Sequence, residues 1–359
     1  MIGDRWTVRL EESRNERFWR GGLLVFGSLV SAALAALLLR RVDVSAAWER
    51  VVDIEPSLLL LPAMVAFANL SLRALRWWMI FPVQARLGAG RTFFAFATGS
   101  LANHFLPGRG GDLMRCYLAT RGTLTERMGL GLCTLVVEKI FDTLCLLVLV
   151  STAGLLLSPP AWYEKMQVAV LLVVAMALLL LILVWWNAEV FADRAGRILH
   201  HLRLPRVAEH AVAFISRFAS GLQVVTSISR LCLLAGCTGV IWLFEGLVIW
   251  GLAQALGVGL SFAGCVLVGA VMGLSRAIPA APGHIGSYEF FMVTATGLLG
   301  VTAEQGLALG LVTHAGVLLF AIAFGVVGAL ATSTSISGLR RITSPLADTD
   351  PQQQSRKLA

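Results

Sequence analysis

The sequence contains several long runs of apolar residues that are poor in charge. Six of these runs are long enough to cross a membrane, at residues 21–39, 57–81, 128–157, 166–186, 231–256 and 306–332. About 20 apolar residues in a helix span the ~30 Å hydrocarbon core of a bilayer. Residues of the types AVILMFWYC make up 57% of the chain, whereas soluble domains reach only ~45–50% even with Gly counted. The sequence therefore predicts an all-α polytopic membrane protein.

The positions of Lys and Arg predict how the chain is oriented. The N-terminal segment 1–20 contains five Arg, and cytoplasmic loops carry an excess of such residues. With both termini in the cytoplasm, 20 of the 29 Lys and Arg residues lie inside and four lie outside. The net charge of +8 comes from residues that flank apolar runs, so we expect no nucleic-acid partner. The charges therefore predict a multi-pass protein with both termini in the cytoplasm.

Two further apolar stretches, 92–120 and 261–300, are interrupted by a shared motif. The first contains PGRGGD and the second PGHIGS, and both read Pro-Gly-x-x-Gly. Pro and Gly disfavour a continuous helix. If the first stretch crossed the membrane, Arg115, Arg121 and Arg127 would lie outside, whereas a re-entrant hairpin keeps them inside. The prediction is therefore six crossing helices plus two re-entrant helical hairpins.

The two hairpins occupy equivalent places in two oppositely oriented halves, which predicts an inverted repeat. The predicted units are a cytoplasmic N-terminal segment (1–20), a first membrane repeat (21–157) with its hairpin at about 92–120, a second membrane repeat (158–332) with a cytoplasmic amphipathic connector at about 190–228 and its hairpin at about 261–300, and a disordered cytoplasmic tail (333–359). Transporters are often built in this way, with broken helices that meet near the midplane at the substrate site.

The two motif tips are the predicted substrate-binding site. Irregular backbone at membrane depth must be buried in protein or line a wet cavity, and the N-terminus of a half-helix attracts phosphate or carboxylate groups. Asp112 and Ser287 are also good N-cap residues, and capping alone explains them equally well. The predicted substrate-binding residues are Asn103, Pro107, Gly108, Arg109, Gly111, Asp112, Arg115, Pro282, Gly283, His284, Gly286, Ser287 and Glu289.

Charged side chains inside the apolar runs are a second set of candidates, because such residues usually face an interior cavity. They are Glu138, Lys139, Asp142, Glu245, Arg276 and His314. We expect them to pair with the tip arginines or to carry protons. Asn103 and His104 are placed to hydrogen-bond exposed backbone at the first tip. A further group, Arg73, Arg76, Trp77 and Trp78, is interpreted as an interfacial anchor.

Three segments resemble one known family. NHFLPGRGGDLMRCYL (103–118), VVEKIFD (136–142) and AAPGHIGSYEF (280–290) resemble the membrane region of lysylphosphatidylglycerol synthase and its stand-alone, flippase-like relatives, over roughly residues 20–330. The resemblance implies a lipid translocator in which Arg109, Arg115, Glu138, Asp142 and Glu289 are the matching motif positions. Relatives commonly have Glu at position 112, Arg at 139 and Gly at 284. The soluble aminoacyltransferase domain of the two-part synthases has no counterpart here, so we expect no synthase activity.

With this resemblance, the functional expectation is a lipid or lipid-linked headgroup translocator of the bacterial inner (plasma) membrane rather than an enzyme. We expect it to bind an anionic headgroup between the two Pro-Gly-x-x-Gly tips. A membrane-embedded lipid-modifying transferase and a non-transporting scaffold for a lipid-biosynthesis enzyme remain the alternatives. The sequence contains no HExxH, no GxSxG and no paired CxxC motif, and we predict no catalytic residue, metal or cofactor. The predicted partner is a membrane lipid or lipid-linked substrate, and both a homo-oligomer and a lipid-biosynthesis enzyme partner stay open.

Overall fold

The structure is a computed structural model, and it describes most of the apolar segments of the chain. The described residues are 25–40, 42–82, 86–106, 109–120, 128–157, 187–201, 227–276 and 280–332, with isolated positions at 22, 165, 168, 171, 172, 175, 176, 179, 183, 209, 212, 213, 215, 216 and 278. The predicted N-terminal segment 1–20 and tail 333–359 lie outside them, as do most of the predicted span 166–186 and most of the connector.

All regular structure in the described part of the chain is helical. The helices are α1 (Val25–Leu39), α2 (Val44–Val52), α3 (Leu60–Ile80), α4 (Ala89–Phe105), α5 (Gly110–Thr120), α6 (Met128–Leu157), α7 (Ala188–His201), α8 (Ile228–Ala255), α9 (Phe262–Ser275), α10 (Ser287–Gly297) and α11 (Ala303–Ala331). Short 3-10 turns precede α3 at Pro56–Leu59 and α10 at Pro282–His284. The all-helical fold that the apolar runs predict is therefore confirmed.

Three helical segments in the described residues are long and apolar enough to cross a membrane. They are Pro56–Ile80, Ile228–Ala255 and Ala303–Ala331, which match three of the six predicted spans. The pair α1 and α2 is bent by 91° and gives a fourth if it is counted as one broken span. Helix α6 is 30 residues long but contains the charged residues Glu138, Lys139 and Asp142. The protein is thus a multi-pass membrane protein.

Local sequence explains where these helices begin. The Asp43 side chain accepts hydrogen bonds from the backbone N–H groups of Ser45 and Ala46 at the start of α2, which satisfies donors that have no partner inside the helix. Ser261 caps α9 and Thr302 caps α11 in the same way. On their outer faces, α1, α3, α8 and α11 expose large apolar side chains, as expected of helices that contact lipid.

Helices α4 and α5 form an antiparallel hairpin at the first motif. A Cβ atom on Gly111 would meet the backbone nitrogen of Asn103, and one on Gly99 would meet the Arg115 side chain. These two pairs show that α5 runs back along α4. Helices α9 and α10 pack together in the same manner, because Gly264 near the start of α9 contacts Leu299 just beyond the end of α10.

The two hairpins lie in the centre of the bundle, and other helices hold them there. Helix α4 packs closely on α11, because Gly325 and Gly328 leave room for the α4 backbone. The second motif lies against α1, where the Ser31 hydroxyl accepts a hydrogen bond from Ala281 N–H. Helix α4 also contacts the turn Pro282–His284. The two motif tips therefore lie near each other.

Candidate functional site

The two Pro-Gly-x-x-Gly motifs adopt a similar unusual backbone. Arg109 and His284, which follow the Pro-Gly of each motif, both have a φ of 58°. Among the described residues, they are the two non-glycine residues with positive φ. Such a conformation is uncommon for residues with a Cβ and often marks a functional site. Pro107 and Gly108 of the first motif lie outside the described residues.

At the first tip, Asn103 and Asp112 hold the hairpin closed. The amide of Asn103 donates to the Asp112 carboxylate at 3.0 Å, and its carbonyl oxygen accepts from the backbone N–H of Asp112 at 3.0 Å. The prediction that Asn103 hydrogen-bonds backbone at this tip is confirmed. Gly111 lies directly against the backbone of α4, where a Cβ atom would be only 2.0 Å from the Gly99 carbonyl oxygen. A side chain at position 111 would therefore separate the two helices.

At the second tip, Glu289 and His314 fix the backbone. The Glu289 carboxylate accepts from Gly286 N–H at 2.7 Å and contacts His314 Nδ1 at 2.6 Å. His314 Nε2 lies 2.7 Å from the Gly283 carbonyl, and a carbonyl only accepts, so Nε2 carries a proton. Tyr288 stacks on the His314 ring at 4.4 Å between centroids.

Arg115 is the centre of the first ionic cluster. It lies 3.2 Å from the Asp112 carboxylate and 3.0 Å from that of Glu138. Its guanidinium also stacks on the rings of Trp77 and Phe96 at 4.9 and 4.7 Å. Its side chain is 3% exposed, so it does not reach a headgroup layer as a surface arginine would. The charge of Arg115 is thus fixed inside the protein between two carboxylates.

Two more cations belong to this cluster and are less completely paired. Lys139 lies 3.5 Å from Glu138 and 3.8 Å from Asp112, and Arg109 lies 3.6 Å from Asp112. Their side chains are 36% and 48% exposed. Arg109 at the hairpin tip and Lys139 on α6 can therefore each approach a ligand while staying in the cluster.

Arg76 forms a buried ion pair that the sequence did not predict. It makes two hydrogen bonds to the Asp142 carboxylate, at 2.6 and 3.1 Å, and one to the Thr238 hydroxyl at 2.8 Å. Arg76 is 1% exposed and Trp77 is fully buried. The interpretation of this group as an interfacial anchor is wrong for both residues, because α6 and α8 cover this face of α3.

Glu245 is the centre of a second ionic cluster. Its carboxylate lies 3.0 Å from Arg73 on α3 and 2.8 Å from Arg276, just after α9. The Asn69 amide donates to the same carboxylate at 3.0 Å, and Arg73 stacks over Trp242 at 5.1 Å. The expectation that Glu245 pairs with an arginine near a tip is confirmed for Arg276. The interfacial interpretation is also wrong for Arg73.

A cavity of about 890 Å³ joins both tips and both ionic clusters. The predicted site residues that line it are Asn103, Arg109, Asp112, Arg115, Glu138, Lys139, Glu245, Arg276, Pro282, His284, Ser287 and His314. The predicted residues Gly111, Asp142, Gly283, Gly286 and Glu289 do not line it; they support the residues that do. With Arg73 included, five cationic and three anionic side chains face the cavity.

Much of the remaining cavity wall is apolar. Its apolar residues come mainly from α3, α8 and α11 and include Ala63, Ala66, Val248, Leu252, Phe320 and Phe324. Several polar atoms of cavity residues are buried without a hydrogen-bond partner among the described residues, namely Asn69 Oδ1, His104 Nδ1, Arg115 Nε and Nη1, and Glu138 Oε2. Buried polar atoms normally have partners. The cavity therefore suits a ligand with a polar, net anionic end and an apolar remainder.

Sequence reasoning missed the polar face of α3. Asn69, Arg73 and Arg76 are spaced i, i+4 and i+7, which places all three on one side of a helix. That spacing could have shown that they share a direction, and three polar residues on one face of a membrane helix usually point inward.

The fold and the site together define a multi-pass helical membrane protein whose helices surround an amphipathic cavity. The chain belongs to the family described as the lysylphosphatidylglycerol synthase TM region, which it matches over residues 24–325. The resemblance seen in the three motifs is therefore confirmed, and it relates the protein to membrane-lipid chemistry. Comparison with curated proteins gave no match, and comparison with solved structures gave none.

Proposed function

We propose that this protein is a flippase that moves a lipid or lipid-linked headgroup between the leaflets of a bacterial inner membrane. The observation that carries the proposal is the cavity between the two motif tips, which combines an excess of cationic side chains with a large apolar wall. A phosphate-bearing headgroup would bind near Arg109, Lys139 and Arg276. The acyl chains would stay against the apolar wall. The headgroup would then remain among polar groups and the acyl chains among apolar ones.

The packing of the helices supports an inverted repeat. The first half would consist of α3 to α6 and the second of α8 to α11, so that α3 corresponds to α8, α4 to α9, α5 to α10 and α6 to α11. Helices α3 and α8 pack on each other, α4 packs on α11, and α6 packs on α9. In such a repeat, an internal two-fold axis would relate the last two contacts to each other. The shared backbone of Arg109 and His284 fits the same symmetry.

The helix lengths support re-entrant hairpins. Helices α4, α5, α9 and α10 have 17, 11, 14 and 11 residues, and each is shorter than the ~20 residues that cross a bilayer core. A hairpin that enters and leaves the membrane by the same face does not need helices long enough to cross it. In the proposed topology six helices cross, the two hairpins enter from opposite faces, and both termini are cytoplasmic.

In the proposed mechanism the two halves alternate around a fixed headgroup site. The ion pair between Glu245 on α8 and Arg73 on α3 joins the two halves. The Glu245–Arg276 pair and the Arg76–Asp142 pair each lie within one half. We therefore expect the Glu245–Arg73 pair to rearrange between the inward-open and outward-open states, while the other two pairs stay closed.

The ionic clusters favour transport over the transferase alternative. A catalytic acid or base must be free to exchange a proton with substrate. Glu138 and Asp142, the candidate carboxylates, both lie in ion pairs with arginine. The scaffold alternative makes a different prediction, because it requires that neutralising the tip charges leaves function in cells intact.

The test is headgroup translocation by the purified protein in vesicles. We would reconstitute it with a fluorescent phosphatidylglycerol and add a membrane-impermeant reductant that bleaches only outer-leaflet probe. We expect faster loss of protected probe than in protein-free vesicles, and a rate at least tenfold lower for Arg109→Ala. Arg197→Ala, which changes an exposed arginine on α7, is the matched control and should match the wild type. Equal rates for wild type and protein-free vesicles would overturn the proposal, and transfer of a group to a lipid acceptor would favour the transferase.

A further inference from the structure

The proposed symmetry is broken at one place in the bundle. Helices α6 and α8 pack on each other, and buried residues of a shared cluster, Val137 and Leu234, lie between them. The two-fold axis of the proposed repeat would relate this pair to α11 and α3. These two helices, which are described in full, do not form a comparable packed interface. One side of the bundle is therefore closed by packed helices and the corresponding side is not.

Aromatic rings close the gap between α3 and α11. The rings of Phe67 on α3 and Phe324 on α11 lie 5.2 Å apart, and both contact Phe93 of α4 at 6.4 Å. Phe320 adds a further contact to Phe324 at 5.5 Å. These contacts are between side chains, so a change of rotamer can open them without breaking backbone hydrogen bonds or ion pairs. Side-chain rotations of this kind are far faster than motions of whole domains.

The cavity reaches the outer surface of the bundle at this place. Leu319 lines the cavity and is also 65% exposed. Phe67, on the outer side of the same gap, is 44% exposed. Ala63 and Ala66 line the cavity from α3, and their small side chains leave room beside the phenylalanines. We name this region the α3–α11 seam and define it by Ala63, Ala66, Phe67, Leu319, Phe320 and Phe324.

The far side of α11 is fixed, which makes the seam the side that can open. Gly325 and Gly328 hold α11 closely on α4, where added Cβ atoms would be 2.4 Å from Leu101 and 2.6 Å from Phe94. The seam itself carries no charged residue, whereas the charged residues of the cavity lie on its other walls. A charged headgroup would lose its hydration in the seam, but a hydrocarbon chain would not.

We propose that the α3–α11 seam is the lateral opening of the cavity and that it binds the acyl chains of a phospholipid whose headgroup occupies the charged part. This inference rests on the proposed function for the identity of the ligand. The chains extend between α3 and α11 toward the surrounding bilayer, with the rings of Phe67, Phe320 and Phe324 packed around them. The headgroup can then change sides while the chains never leave an apolar medium.

The test is photochemical labelling of the full-length protein in vesicles. The probe is phosphatidylglycerol with a diazirine in the middle of one acyl chain, and labelled residues are located by mass spectrometry. We expect label on the cavity-facing seam residues Ala63, Ala66 and Phe320. Label confined to lipid-facing positions such as Met64, which is 70% exposed, would overturn the proposal.

Two variants of α3 sharpen the test. Ala66→Trp places a large ring in the seam and should reduce labelling of Ala63 and Phe320 at least fivefold. Met64→Trp adds the same ring on the lipid-facing side of α3 and should leave that labelling unchanged. Equal labelling of Ala63 and Phe320 in both variants would contradict an acyl-chain site in the seam, even if the wild type is labelled there. Thermal unfolding in detergent checks that both variants are folded.

Translocation measured on the same vesicles separates this inference from the proposed function. Wild-type protein that translocates the probe without labelling the seam would overturn the seam alone. Wild-type protein that is labelled in the seam but does not translocate would overturn the flippase function while the acyl-chain site stands. Labelling together with translocation, both reduced by Ala66→Trp, would support both.

Discussion

Arg109 and His284 occupy the same position in two separate motifs and have the same φ of 58°. Each is followed by a sharp return of the chain into the second helix of its hairpin. A left-handed backbone costs a residue with a Cβ roughly 1–2 kcal/mol. Both side chains face the cavity, so the strained backbone aims a cationic or ionisable group at the site from each half of the protein.

Replacing His284 by Gly should stabilise the fold. Gly adopts positive φ without the steric cost of a Cβ, and we expect a gain of about 1 kcal/mol in the free energy of unfolding. His284→Ala keeps the Cβ and removes only the imidazole, so it should give no such gain. Denaturant unfolding in detergent micelles measures both variants. A loss of stability in His284→Gly would mean that contacts of the imidazole outweigh the backbone strain.

Replacing Gly111 by Ala should open the first hairpin. The new Cβ would lie 2.0 Å from the Gly99 carbonyl oxygen and 2.4 Å from Asn103 N, and backbone atoms cannot move aside as a side chain can. We expect a loss of at least about 2 kcal/mol in the free energy of unfolding, within the range for overpacking.

Gly236→Ala on α8 is the matched control for this substitution. No atom lies within 4 Å of the Cβ position there, so the higher helix propensity of Ala should raise stability by about 0.5–1 kcal/mol. Equal stability of the two variants would show that α4 and α5 do not approach as closely as the structure places them.

Removing Arg76 should be strongly destabilising, because it leaves the Asp142 carboxylate buried without its main partner. Losing one member of a buried ion pair costs about 3–5 kcal/mol, and we expect Arg76→Met to fall in that range by thermal or denaturant unfolding. The double variant with Asp142→Leu should recover most of the loss, since no buried charge is then unpaired.

The exposed ion pair of Arg197 and Asp193 provides the comparison. Their side chains are 71% and 68% exposed, and exposed pairs contribute only about 0–1 kcal/mol. Arg197→Met should therefore leave stability nearly unchanged. A double variant of Arg76 and Asp142 as unstable as Arg76→Met alone would indicate that Arg76 acts through packing or its bond to Thr238 rather than through Asp142.

The sequence predicts the helices better than it predicts their partners. Apolar runs identify α3, α8 and α11 because membrane spans depend on local composition, and the Pro-Gly motifs identify both hairpins because Pro and Gly act locally. The burial of Arg76 depends on Asp142 and Thr238, which are 66 and 162 residues away. No local pattern distinguishes an arginine at a membrane interface from one enclosed by α6 and α8. The seam could not be predicted from the sequence for the same reason, since Phe67 and Phe324 are in contact only in the folded chain.

Neutralising Glu245 should increase the binding of anionic lipid. Its carboxylate faces the cavity between Arg73 and Arg276, and Glu245→Gln leaves both guanidinium groups without that counter-charge. The net charge of the cavity lining then rises by one, in a medium where charge interactions are stronger than in water. We expect native mass spectrometry to find at least twice as much phosphatidylglycerol retained per protein as in the wild type. Glu49→Gln, which changes an exposed glutamate on α2, should show no increase. Equal retention in Glu245→Gln and the wild type would mean that the headgroup binds away from Arg73 and Arg276, nearer to Arg109 and Lys139.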